Sequence, residues 1–353
     1  MADGATSAAA GTAAGDSLPE WNLSDLYSGP EAPELEADLR WAEGEAARFR
    51  GANAGRLAEL SGAEFGAAIA GFERLSERLH RPLSFAQLLF AGDMSDPERG
   101  RFLQTVQERF NAISLQTLFF SLEINHMDEA TLAAKLAAPE AARYLPWIRD
   151  NRLFRPHQLD EKLEAVFHEK SVTSRMAWTR LFEETLARLR FAVDGERQTL
   201  SEVLNGLSDD NEEVRRRAAK ALGQGLGDNI DLFVLITNTL AKDKEIEDRW
   251  RRYPMPVSQR NLANRVEDEV VETMVSAIRA AYAELAHRYY ALKAGWFGKE
   301  ALDYWDRNAP LPGGAERRYS WSEARDTVLA AFHRFHPRMA DLGSRFFERG
   351  WID

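Results

Sequence analysis

"NRVEDEVVETMVSAIRAAYAELAHRYYALKAGWFG", residues 264 to 298, decides the fold class. Val270, Val271, Met274, Val275, Ile278, Tyr282, Leu285, Tyr289 and Leu292 recur mostly at steps of three and four, which puts them on one face of an α-helix. Asn264 is a candidate cap with Glu267 closing a capping box, the early acids complement the helix dipole, and Gly298 suits the stop. Such a helix is roughly 45 Å long at 1.5 Å per residue. Its apolar stripe requires a covering surface.

Helical periodicity extends in both directions from it. In "SDPERGRFLQTVQERFNAISLQTLFF" (95–120), Asp96 is a cap, Pro97 takes the first helical position, and Phe102, Val106, Phe110 and Ile113 share a face. One break is strand-like. "LARLRFAVDGERQTLSEVL" (186–204) sets Asp194-Gly195 between two short apolar runs and predicts a small β-hairpin near 189–200. After it, Ser208 or Asp209 is expected to open the helix "NEEVRRRAAKALGQGL", and Gly223, Gly225 and Gly227 to end or loosen it. "WDRNAPLPGGAERR" (305–318) is a second break, rich in proline and glycine. The expected class is therefore mainly α, multi-helical, with one hairpin. The expected organisation is a disordered Ala/Gly-rich tail (1–18), a helical N-terminal domain (19–200) and a second helical region (201–353).

Composition narrows the function. Among 353 residues, 45 Lys+Arg stand against 56 Asp+Glu, a net charge of −11. That argues against nucleic acid or an anionic membrane as partner. There is no cysteine, which excludes disulfides, thiolate catalysis and Cys-ligated metals. The start of the chain lacks the basic and apolar segments of a secretory signal, and no run of about 18 apolar residues occurs, so a cytoplasmic location is expected.

Candidate chemistry is sparse. "AVFHEKSVTS" (165–174) begins like the zinc-protease signature His-Glu-x-x-His, but the residue four after His168 is Val172. A surface His168-Glu169 pair on a charged helix is the expectation. His80, His126, His157, His287, His333 and His336 offer no pair four apart either. His333 and His336 are three apart, but Pro337 draws the residue before it out of the helical region. No Gly-x-Ser-x-Gly elbow or phosphate-binding loop is present. The most suggestive stretch is "KDKEIEDRWRRYPMPVSQRNLANRVEDE" (242–269), which gathers Trp250, Arg251, Arg252, Tyr253 and Arg260 in one interhelix connection. Two readings stand: a peptide cleft, with Tyr253 and Arg260 as candidate substrate-binding residues, or an interhelix corner tied by salt bridges. No catalytic or metal-ligating residue is assigned.

Several segments in collinear order resemble a family. "EWNLSDLY" (20–27), "LDEKLEAVFHEKSVTSRMAWTRLFEE" (159–184), "FAVDGERQTLSEVLNGLSDDNEEVRRRA" (191–218), the stretch from Arg260 to Trp296, "YWDRNAPLP" (304–312) and "RFFERGWID" (345–353) are similar to M3 peptidases of the oligoendopeptidase F type. The resemblance implies an M3 peptidase-like architecture and a zinc metallopeptidase that cuts short peptides in an enclosed channel. In that family a His-Glu-x-x-His helix comes after the segment matching "FFERGWID", and no position here matches it. The resemblance thus implies an N-terminal portion ending before the zinc site, in which residues 201–353 begin the catalytic domain. Alone it is expected to be inactive and to hold no zinc. It is also expected to expose apolar surface through which copies self-associate. The alternative is a non-catalytic helical module that binds peptides or a protein.

Overall fold

The computed structural model describes residues 19–313 and 319–353. The expected tail, 1–18, and residues 314–318 in the second break lie outside the described residues. The fold is mainly α, and among the described residues the β-structure is one two-stranded antiparallel sheet. Residues 19–29 and 319–353 make one compact unit, and Pro30–Gly313 makes the other.

In the larger unit, helices α1 (Pro33–Asn53), α2 (Gly62–Gly92) and α3 (Pro97–His126) pack on one another. Ser61 and Glu64 form a capping box that starts α2. Asp96 caps α3 by accepting the Glu98 N–H at 2.8 Å, with Pro97 in the first turn as its sequence predicts. Leu35, Leu39, Phe65, Ile69, Leu75, Val106 and Ile113 are their buried residues, among others. Phe102 and Phe110 of the predicted α3 face are only half-buried, and Leu103 takes the buried position beside them. The Phe120 ring lies 5.1 Å from that of Phe49 and 5.0 Å from that of Phe72. Phe120, fully buried, contributes about 1.5–3 kcal/mol. Short helices α4 (Glu129–Leu136), α5 (Pro139–Ala142) and α6 (Leu145–Arg152) come next.

Helices α7 (Glu161–Lys170) and α8 (Arg175–Arg188) lead into the hairpin, β1 (Phe191–Val193) and β2 (Glu196–Gln198). Asp194 (φ 54°) and Gly195 (φ 86°) both adopt left-handed backbone, the type I′ geometry that their sequence predicts. Thr199 and Glu202 cap α9 (Leu200–Gly206). One expectation for α10 (Glu212–Gly227) is corrected. Its cap is Asn211, whose side chain accepts the Glu213 N–H at 2.9 Å, while Asp209 accepts the Asn211 N–H. The helix runs unbroken through Gly223 and Gly225 and ends at Gly227, the last of the three glycines expected to stop it. A Cβ on Gly225 would lie 2.5 Å from the Phe191 ring, so glycine there lets α10 approach the hairpin.

After α11 (Ile230–Arg251) and α12 (Ser258–Ala263) comes the 264–298 stretch, and it too departs from expectation. Asn264 ends α12, and α13 (Asp268–Ala281) starts at Glu267 without a side-chain cap. Asp268 instead accepts from Asn261 at 2.7 Å and from Ser258 at 3.3 Å, tying the two helices. A π-helical turn, Ala283–His287, separates α13 from α14 (Arg288–Trp296), with the His287 N–H on the Tyr282 carbonyl. The stop at Gly298 (φ 68°) is as predicted. The apolar stripe is not covered: every residue of α13 is exposed or half-buried, and Leu285 is 69% exposed.

The smaller unit holds a hairpin of α15 (Trp321–Phe335) and α16 (Pro337–Glu348). His336 breaks the helix with extended backbone, as expected before Pro337, and its Nδ1 accepts the Arg338 N–H. The segments "EWNLSDLY" and "RFFERGWID" meet here. Asn22 N–H donates to the Gly350 carbonyl at 2.6 Å, and Trp351 Nε1 donates to Asp25 at 3.0 Å.

Candidate functional site

Arg251 organises the site. It lies at the end of α11, where Arg252 turns left-handed (φ 61°) and sends the chain into the corner that the sequence singles out. Its guanidinium grips both oxygens of Glu164 on α7, at 2.8 and 2.9 Å, and donates to Glu247 one turn back at 2.7 Å. Burial works to lower the Arg251 pKa, but the hydrogen bonds and charges of Glu164 and Glu247 outweigh it and hold the group above its ordinary value. The Arg251 carbonyl accepts from His157 Nδ1 at 2.8 Å, and the His157 ring stacks on Tyr253 at 3.9 Å. Burial pushes the Tyr253 phenol up, so it stays a neutral hydroxyl.

The corner is thus tied by ion pairs, and it also lines open space. One cavity of about 220 Å³ is walled by Asn125, His157, Glu164, Glu247, Arg251 and Tyr253, among others. Beyond the Arg251 clasp lies a larger cleft of about 490 Å³, which shares Glu164, Glu247 and Arg251 and adds Phe110, Asn111, His168, Arg175 and Asp243. A third cavity of about 380 Å³ shares Gln87, Gln107, Arg175 and Met176 with the second and reaches Leu103 and Arg180. The three adjoin through shared walls and run along α3 from Asn125 down to Leu103. At 1.5 Å rise, that path is about 33 Å long.

Tyr253 therefore lines the groove, while Arg260 is exposed on α12 and is not among the lining residues. Glu164 was not singled out by its sequence. Its partner Arg251 is 87 positions away, a pairing that no local pattern signals. Only the Glu247–Arg251 spacing of four was legible as a helical ion pair. His168 corrects another expectation. It is half-buried rather than a surface residue, with Nε2 at 2.8 Å from Ser114 Oγ, and its backbone carbonyl accepts from Asn111.

The fit of the residues to a metal can be tested directly. Among the described residues, one group of three potential ligands comes together: Glu212, Asp303 and Asp306. Its charge is already met. Lys299 Nζ lies 2.5, 3.1 and 2.6 Å from these carboxylates, and Arg215 donates to Asp306 at 2.7 Å. All three ligands are oxygens, unlike the histidine-rich set of a catalytic zinc. This cluster is an ion-pair network, buried at Asp306 and Arg215 and exposed at Glu212 and Asp303, and it does not fit that metal.

Comparison with known proteins agrees with this architecture. Residues 123–191 match the family model described as Oligopeptidase F. Over 347 residues the chain is 24% identical to Oligopeptidase PepF of Bacillus subtilis (strain 168), covering 94% of this chain and 50% of that protein. These matches make the chain similar to oligoendopeptidase F-type peptidases. Among solved structures, oligoendopeptidase-F from Enterococcus faecium superposes with a TM-score of 0.72 at 18% identity, over 89% of this chain and 65% of that one. PZ peptidase A superposes with a TM-score of 0.67 at 14% identity, over 94% and 56%. These likenesses at low identity establish the M3 peptidase-like fold. The chain spans half the length of the curated relative that it matches. No helix among the described residues is long and apolar enough to cross a membrane.

Proposed function

We propose that these 353 residues form the N-terminal, peptide-holding part of an oligoendopeptidase F-type zinc metallopeptidase acting on short peptides in the cytoplasm. In this reading residues 19–200 are its N-terminal helical domain and 201–353 the opening of its catalytic domain. The observation that carries it is the groove beside α3. At about 3.3 Å per residue, its ~33 Å path suits an extended chain of about ten residues. The lining also fits: apolar patches of Phe110, Phe167 and Met176 alternate with amide and charged groups that pair with peptide backbone and ends.

Hydrolysis is not assigned to this chain. The sequence holds no His-Glu-x-x-His, and the one clustered set of potential ligands among the described residues is filled by Lys299. The proposed behaviour is capture without cleavage, in which zinc chemistry belongs to the family enzyme as a whole. The uncovered stripe of residues 268–296 supports a further expectation, self-association of the isolated chain.

Titration with an unlabelled ten-residue peptide by calorimetry tests the reading, paired with a quenched fluorescent peptide in the presence of added zinc. Saturable binding without turnover is expected. Chelator-sensitive turnover, or no binding at millimolar peptide, would overturn it.

A further inference from the structure

The groove has a charge direction. At the α11 corner, the smallest cavity is lined by two carboxylates, Glu164 and Glu247, against one guanidinium, Arg251. At the opposite end, the cavity reaching Leu103 is lined by two guanidiniums, Arg175 and Arg180, against one carboxylate, Glu183. The cleft between them carries opposite charges in equal number, with Asp243 on the α11 wall, Lys170 at the end of α7 and Arg175 at the start of α8. A short peptide in water is itself a dipole, with an ammonium at one end and a carboxylate at the other.

We infer that the groove reads the polarity of a free peptide, taking the amino terminus beside Glu164 and Glu247 and the carboxyl terminus beside Arg175. The inference rests on the peptide-holding function proposed above and names its substrate class as peptides with both ends unblocked.

Three features make the acidic end suited to an ammonium. Arg251 offsets only one of the two carboxylates that hold it. The His157–Tyr253 stack adds an aromatic surface, on which cations are favourably placed. The Asn125 side chain on the same wall is 4% exposed, and its Oδ1 has no hydrogen-bond donor, although its Nδ2 donates to Gln158. At the other end, Arg180 is committed to Glu184 and Gln104, at 2.8 and 2.9 Å. Arg175 is exposed, and no ion pair to it occurs among the described residues. It is the guanidinium available to grip a carboxylate in a bidentate manner.

The test compares one ten-residue peptide of uncharged side chains in four forms: free, N-acetylated, C-amidated and doubly blocked. Each is titrated calorimetrically into the wild-type chain, Glu247→Gln and Arg175→Ala. Acetylation and amidation are each expected to weaken binding to the wild type by about fivefold, the scale of one partly exposed ion pair. In Glu247→Gln the acetylation penalty should shrink while the amidation penalty stays, and Arg175→Ala should do the reverse. The peptide modifications leave the protein untouched, so they report even where a variant folds poorly. Equal binding of all four forms would overturn the inference while leaving peptide capture intact. Loss of binding by every form would instead defeat the function on which the inference rests.

Discussion

Helices α3 and α13 carry similar apolar periodicity and meet opposite fates. Along α3, Leu103, Val106, Ile113, Phe119 and Phe120 are buried against α1, α2 and their neighbours. Along α13 and the π turn after it, Val270, Met274, Ile278, Tyr282 and Leu285 all remain exposed. A stripe at helical spacing states that a face needs covering; it does not state what covers it. The difference lies in tertiary partners. α3 has α1 and α2 on one side and α7 across the groove, whereas α13 is held at its first turn by α12 and continues through the π turn into α14.

Substitutions on the two helices should therefore differ sharply. Phe120→Ala removes a buried ring in contact with Phe49 and Phe72, and is expected to cost about 3–5 kcal/mol of unfolding free energy in urea melts. A cost below about 1 kcal/mol would mean that the α1–α3 core is looser than its burial implies.

A loss of similar size is expected from Asp306→Ala, about 3–5 kcal/mol, because it strands the buried Arg215 charge. This pair also gives a pH signature. Burial works to raise Asp306, but the hydrogen bonds and charges of Lys299 and Arg215 outweigh it and hold the carboxyl below its ordinary value. A depressed folded pKa supplies stability that is present above the unfolded value of about 3.9 and is lost as pH falls through the folded one. Acid melts below about pH 4 should lose stability more steeply in the wild type than in Asp306→Asn. Parallel curves would contradict that assignment.

Gly225→Ala should cost about 1–3 kcal/mol, since its Cβ meets the Phe191 ring across the α10–hairpin contact. The smallest effect is reserved for the uncovered rod. Leu285→Ser is expected to change unfolding free energy by less than about 0.5 kcal/mol while reducing dye binding and self-association. A loss comparable to that of Phe120→Ala would show that the rod's face is covered in solution.

Local chemistry was legible in advance. The Asp96 cap, the left-handed Asp194-Gly195 pair, the Gly298 stop and the break at His336 all derive from backbone preferences of one or two residues. The features that escaped depend on partners distant in sequence. Asn264 looked like a helix cap until Asp268 found Asn261 and Ser258, and Gly225 looked like a helix breaker until Phe191 filled the space beside it. The groove was half visible. The corner around Arg251 and Tyr253 announced itself by composition, but Glu164, which turns that corner into a clasp, comes from a helix far earlier in the chain. His168 drew attention through a motif fragment, yet its place is set by Ser114 and Asn111 on α3.

Hydrogen exchange with and without a saturating ten-residue peptide tests the location of the site most directly. Amides of residues 103–125, 161–176 and 243–253 should slow when peptide is bound, and those of 268–296 should be unchanged. Protection confined to 268–296, with the α3 groove unaffected, would contradict it.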